Sequence, residues 1–217
     1  MTDAPDRRPL ASRDTRWAQA LTRRLAATSI TPNRISMGSI LAAAVAGACF
    51  WGAGDTQGWS AALFLVAAAL FCQIRLLCNL LDGLVAIEAG KKEPDGAFWN
   101  EFPDRVADIL ILVGAGLGAG GPALGWAAAA MAILTAYTRE LGRACGLPAD
   151  FSGPMAKQHR MAVMTLAALA AAAAEVFLGG EVHTVLIAAL WIVAVGAAVT
   201  AARRAAQIVI GLHGSPH

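Results

Sequence analysis

The sequence predicts an all-α, polytopic membrane protein: six transmembrane helices preceded by a helix lying on the membrane surface. Three observations carry this. Apolar residues make up 57% of the chain and charged residues 15%, with a mean hydropathy of +0.57, too little charge to clothe a soluble domain of this size. The apolar residues come in blocks, and segments 36–54, 56–74, 109–137, 161–174 and 182–202 contain no Asp, Glu, Lys or Arg. The charges that do enter apolar segments gather at two helix ends.

Residues up to about 13 are polar and are expected to form a disordered cytosolic tail. No short apolar core with a cleavage site marks a secretory signal there. Over 14–27, Trp17, Leu21 and Leu25 recur at four-residue intervals beside Arg16 and Arg23, the pattern of an interfacial amphipathic helix. The first span is expected over 32–53, with Thr31 as its cap and Pro32 in its first turn. The second and third are expected over 59–88 and 97–117, each long enough for a hydrocarbon core of ~30 Å, which needs about 20 helical residues. The apolar run after Asp108 is too long for one span, and Gly-Ala-Gly-Gly-Pro at 118–122 divides it. A fourth span then covers 122–145, and 156–178 and 183–209 complete the set. Backbone groups in lipid must bond within their own segment, so the spans are helices, and no period-two alternation suggests a barrel. Residues 1–30 thus form an N-terminal tail and surface helix, and 31–212 a single transmembrane domain.

Lys and Arg set the expected orientation. Seven arginines lie at or before Arg34, Lys91 and Lys92 follow the second span, Arg139, Arg143, Lys157 and Arg160 bracket the turn after the fourth, and Arg203 and Arg204 lie at the C-terminal end. The opposite turns, 52–58, 118–122 and 179–182, hold none. By the positive-inside rule both termini lie in the cytoplasm, in a bacterial-type inner membrane. A net charge of +2 is too small to argue for nucleic acid. The four cysteines form no Cys-x-x-Cys pair and read as small core residues. Four scattered histidines do not suggest zinc.

Charge inside a span costs at least ~2.5–3.5 kcal/mol at mid-bilayer, so its location is informative. The second span ends with Arg75, Asn79, Asp82 and Glu88, and the third begins with Asn100, Glu101, Asp104, Arg105 and Asp108. At ~100° per residue, Arg75, Asn79, Asp82 and Ala86 share one stripe, and Asn100, Asp104 and Asp108 share another. A short turn is expected to pack the two helices antiparallel, with the stripes facing one another near the cytoplasmic surface. Converging carboxylates repel unless cations neutralise them. Ion pairs with Arg75 and Arg105 are one solution. A hard divalent cation, Mg²⁺, Mn²⁺ or Ca²⁺, held by Asn79, Asp82, Asn100 and Asp104 is the other. Gly83, Ala86 and Gly96 accompany these residues, either for close helix packing or to leave room for a ligand.

These residues resemble the signature of the CDP-alcohol phosphotransferase family, D-x-x-D-G-x-x-A-R, eight residues, then G-x-x-x-D-x-x-x-D. The chain reads Asn79-Leu-Leu-Asp82-Gly83-Leu-Val-Ala86-Ile87, the same gap, then Gly96-Ala-Phe-Trp-Asn100-Glu-Phe-Pro-Asp104. Asp82, Gly83, Ala86, Gly96 and Asp104 match; Asn79, Ile87 and Asn100 depart. Thr31-Pro32-Asn33-Arg34-Ile35-Ser36 and Gly153-Pro154-Met155-Ala156-Lys157-Gln158-His159-Arg160 resemble the starts of the family's first and fifth spans, so the likeness covers roughly 30–210.

The resemblance implies a metal-dependent transferase of phospholipid biosynthesis. It would move the phosphate-linked group of a CDP-alcohol, often CDP-diacylglycerol, onto the hydroxyl of a small alcohol and release CMP. It implies Mg²⁺ or Mn²⁺ at Asn79, Asp82, Asn100 and Asp104, the nucleotide against Gly83, Ala86 and Gly96, and Asp104 as the catalytic base. It also implies a homodimer, which the small residues of the third and fourth spans would permit. Two Asn in place of Asp remove two negative charges, and Glu101 and Asp108 are the acids placed to restore them. Lys157 and Arg160, near a helix start, suit a phosphate or an anionic acceptor, or serve only as topological charge. A catalytically silent lipid- or nucleotide-binding partner and a solute carrier are the competing readings.

Overall fold

A computed structural model describes residues 16–88, 90 and 94–214. The tail, the first residues of the expected surface helix, and Lys91 and Lys92 lie outside the described residues. Seven helices make up the described chain: α1 (Arg16–Ala26), α2 (Pro32–Gly54), α3 (Gly58–Glu88), α4 (Gly96–Gly118), α5 (Pro122–Ala144), α6 (Lys157–Leu178) and α7 (Val182–Gly214). The caps are those the sequence suggested. Thr31 accepts a hydrogen bond from the Arg34 amide with Pro32 in the first turn, and Pro122 opens α5 just after the glycine break.

Helices α2 to α7 close into a ring. α2 packs on α3 and α4, α4 on α5, α5 on α7, α7 on α6, and α6 back on α3. The ring is filled by small side chains and a few large ones, among them Phe50, Leu65, Ile111, Met161, Met164 and Leu190, all fully buried. Its outside is apolar: Trp59, Leu63, Leu166, Phe177 and Trp191 are each more than half exposed. A water-soluble protein would bury such residues, and a surface of this kind faces lipid.

Four helices, α2, α3, α6 and α7, are long and apolar enough to cross a membrane, and the chain is a multi-pass membrane protein. The six expected spans include α4 and α5, which fall short of that composition. Glu101, Asp104 and Arg105 lie in the first half of α4 and Asp108 at its middle, and Arg139, Glu140 and Arg143 occupy the last turns of α5.

One packing expectation is revised. α3 and α4 follow one another in sequence but touch only lightly, because α2 packs extensively against both. What brings α2 and α4 together is glycine on both sides. A Cβ at Gly47 would lie 2.2 Å from the Leu110 carbonyl oxygen, and one at Gly114 would lie 2.3 Å from that of Gly47. Gly116 of α4 meets Gly125 of α5 in the same way. Gly47, Gly114, Gly116 and Gly125 are therefore engaged within the chain, while Ala123, Ala127 and Ala130 of α5 stay exposed. Of the apolar stripe of α1, Leu21 and Leu25 pack against the cluster of Ile35, Leu81 and Val85, while Trp17 stays exposed.

Candidate active site

The helices alternate in direction, so the starts of α2, α4 and α6 meet the ends of α3, α5 and α7 at one end of the ring. A cavity of about 650 Å³ opens there, within the usual range for small-ligand sites. Asn79, Asp82, Gly83, Ala86, Gly96, Asn100, Glu101, Asp104, Lys157 and Arg160 all line it. Of the site residues expected from sequence, Asp108 alone does not. The expected stripes on α3 and α4 do converge, through side chains that meet at the cavity although the two helices touch only lightly.

Asp104, 3% exposed, is the most heavily engaged group. Its Oδ1 accepts from Arg75 Nη2 at 2.9 Å and from Asn79 Nδ2 at 3.1 Å. Its Oδ2 accepts from the Lys157 ammonium, which also donates to Asn79 Oδ1. Arg75 is fully buried, with Nε and Nη1 lacking a partner. Asp82, 5% exposed, accepts from Ser36 Oγ at 2.7 Å and from the Gly83 amide at 2.6 Å. Asn100 is exposed on the cavity wall.

The two acids expected to restore charge have partners of their own. Glu101 pairs with Arg105 at 2.6 Å and with Arg139. Asp108 is fully buried and pairs with Arg160 Nη2 at 2.6 Å. Arg160 Nη1 is also committed, to the Met155 carbonyl at 3.0 Å and the Thr135 hydroxyl at 3.3 Å. Arg160 thus braces α4, α5 and the start of α6, and its free capacity for a phosphate is small.

The segment between α5 and α6 fixes where Lys157 stands. Arg204 of α7 donates to the Ser152 and Thr135 carbonyls, and the Thr200 hydroxyl accepts from the Met155 amide. Gly153 has φ +122 and lies against Thr200, where a side chain would clash. Phe151 packs under the Arg139 guanidinium at 5.3 Å. Sequence reasoning took Arg204 for topological charge and passed over Ser36 and Thr135. The one hint was polar residues placed mid-helix. Outside the ring, Asp95 joins α4 to α2. Hydrogen bonds from Asn33 and Trp99 hold its carboxyl below the ordinary range.

Gly83 and Gly96 settle the choice between packing and room. A Cβ at either position would meet nothing within 4 Å, so helix contact does not require glycine there. The open space belongs to the cavity.

Among the described residues, no three His, Cys, Asp or Glu side chains gather as a metal-binding group. The donors at hand are two carboxylates and two side-chain amides, all oxygen. That set fits Mg²⁺ or Mn²⁺, which bind through one or two carboxylates and complete their shell with water and substrate phosphate.

No model of a known protein family matches the chain. The fold is that of the phosphatidylinositol phosphate synthase structures. It matches the Mycobacterium tuberculosis synthase solved with CDP-DAG bound at a TM-score of 0.73 and 19% identity, covering 89% of this chain and 94% of that one. The same synthase in complex with manganese and citrate matches at 0.72 and 18%, covering 88% of each. In sequence, the chain is 32% identical to the phosphatidylinositol phosphate synthase of Streptomyces avermitilis over 137 residues, 60% of this chain and 56% of the relative. It is 34% identical to a bifunctional IPC transferase and DIPP synthase of Rubrobacter xylanophilus over 151 residues, 65% of this chain and 32% of the relative. The matches thus span about half and one third of those relatives' lengths.

Proposed function

We propose that the chain is a CDP-alcohol phosphatidyltransferase of phospholipid biosynthesis, with CDP-diacylglycerol as donor and a small alcohol as acceptor. One observation carries the reading. Asn79, Asp82, Gly83, Ala86, Gly96, Asn100 and Asp104, which keep the spacing of the family signature, line a single cavity. They do so in a fold shared with a synthase solved with CDP-DAG bound.

In this reading Gly83, Ala86 and Gly96 admit the nucleotide, and the apolar lining at Leu76, Leu77 and Ile87 accompanies the lipid part of the donor. Asp82, Asp104 and the amide oxygens of Asn79 and Asn100 are the groups that would hold Mg²⁺ or Mn²⁺. Such an ion would supply positive charge to the diphosphate and to the leaving CMP. The acceptor hydroxyl oxygen attacks the phosphorus that carries the diacylglycerol. The bond from that phosphorus to the oxygen of CMP breaks, and CMP leaves with the electron pair. Asp104 Oδ2 takes the hydroxyl proton. For this Lys157 must release Asp104, and the donor's phosphate oxygens are the anions to which its ammonium turns.

The ring of six helices, 22 to 33 residues long, supports six crossings over 31–212. Charged residues of α4 and α5 then lie at the cavity end. Arg16, Arg23 and Arg24 with exposed Trp17 on α1 support a surface helix at that same end, within residues 1–30. The positive-inside bias puts this end, and the reaction, in the cytoplasm of a bacterial-type inner membrane.

The test is release of CMP from CDP-diacylglycerol by the purified chain with Mn²⁺ or Mg²⁺, over a panel of alcohols and alcohol phosphates. Asp82→Ala and Asp104→Ala are expected to lower the rate roughly 10²-fold or more. Gly83→Val is expected to fold normally and lose donor binding, because it fills space that no protein atom occupies. Unchanged release in both Asp variants would overturn the assignment. The bonds that saturate Asp104 favour the silent-binder reading as the second choice, and donor binding without CMP formation over the whole panel would select it.

A further inference from the structure

Lys157 stands where a purely topological charge has no reason to be. It is the first residue of α6, where the helix end carries partial positive charge and disfavours a cation. Its side chain is one-fifth exposed, and its ammonium bonds Asn79 Oδ1 and Asp104 Oδ2 together. It therefore sits between two of the residues placed to hold a divalent cation, on the oxygens that would face one.

Asn79 is built for this neighbour. Its amide turns oxygen to the ammonium and nitrogen to Asp104 Oδ1 at 3.1 Å. The flipped amide would set NH₂ against NH₃⁺ and oxygen against carboxylate, so the two partners fix the orientation. An aspartate at 79 could accept from Lys157 but would repel Asp104. Charge balance agrees. Asp82 and Asp104 are matched by Arg75 and Lys157, so the cluster is formally neutral before any ion arrives. One divalent cation is balanced by the two charges of a diphosphate; a second would stand uncompensated in a largely buried site.

The geometry points to Lys157 as a tethered cation that stands where a second ion would otherwise sit, so that the chain binds a single divalent cation, anchored on Asp82. The inference rests on the transferase reading above. It accounts for Asn79: an amide stands there in place of a carboxylate because the Lys157 ammonium already supplies positive charge at that position.

The experiment is an electron paramagnetic resonance titration of the purified full chain with Mn²⁺ alone, which counts bound ions and shows dipolar broadening when two lie close together. One Mn²⁺ per chain without broadening is expected. Lys157→Met is expected to tighten Mn²⁺ binding roughly tenfold or more. Adding Asn79→Asp and Asn100→Asp to it is expected to raise the count to two, with broadening. Two ions on the unsubstituted chain, or none, would overturn the inference, as would unchanged affinity in a folded Lys157→Met. The count on the unsubstituted chain needs no variant to fold. CMP release from the same preparation keeps the two readings apart. Two ions with CMP release removes the tethered cation and keeps the transferase; one ion without release does the reverse.

Discussion

At the scale of single residues, the site is ordered by which charges are shared. Asp104 accepts from three donors, whereas Asp108, one helical turn on, gives one oxygen to Arg160 and leaves Oδ1 without a partner. Both members of the Arg160–Asp108 pair are essentially buried, and removing one partner strands the other. Asp108→Asn is expected to cost about 3–5 kcal/mol, read as a lower unfolding midpoint in detergent. Asp108→Leu combined with Arg160→Met is expected to recover part of that loss, since no uncompensated charge remains. If Asp108→Asn leaves stability unchanged, the pair is not the brace described here. That Asp82 and Asp104 would line one cavity was legible in the sequence, because helical spacing put polar groups on one stripe of each of two helices where lipid forbids them. The partner of Lys157 was not legible. Asn79 and Asp104 lie far away in the chain, and a basic residue at a helix start looks the same whether it meets a carboxylate, a phosphate or a headgroup.

At the scale of elements, every helix was legible to within a few residues at most boundaries, because charge-free runs end at Gly, Pro and capping residues. Neighbourhood was not. Sequence order suggested α3 against α4, yet α2 is the helix that packs on both, since its glycines let it approach α4 backbone to backbone. Adding a methyl group where 2.2 Å is available must push the helices apart. Gly47→Ala is therefore expected to destabilise the chain by about 1–3 kcal/mol, measured by thermal unfolding in detergent, and to weaken the site by displacing Ser36 from Asp82. Gly83→Ala, facing open space, is the matched control and is expected to leave the unfolding midpoint within about 0.5 kcal/mol. Equal effects at the two glycines would refute the packing argument.

At the scale of the whole molecule, the all-helical membrane architecture was legible from hydropathy alone, while closure of the ring was not, because lipid-facing and ring-facing positions are both apolar. Orientation can be checked with a thiol already present. Cys145 is exposed just beyond α5 at the cavity end, whereas Cys72 is buried and Cys49 and Cys78 are partly so. In sealed right-side-out vesicles a membrane-impermeant maleimide is expected to leave Cys145 unlabelled until the membrane is permeabilised, and labelling in intact vesicles would reverse the orientation. The α2–α4 contact also has a meaning for biogenesis. Gly47 finds its partner Gly114 roughly 70 residues downstream, which a ribosome working at about 5–20 residues per second supplies only after several seconds. During that interval α2 has its preceding and following segments but not the helix that its glycines approach backbone to backbone. The nascent chain therefore depends on whatever shields that glycine face until α4 emerges, and a pause in translation before α4 would lengthen the exposure.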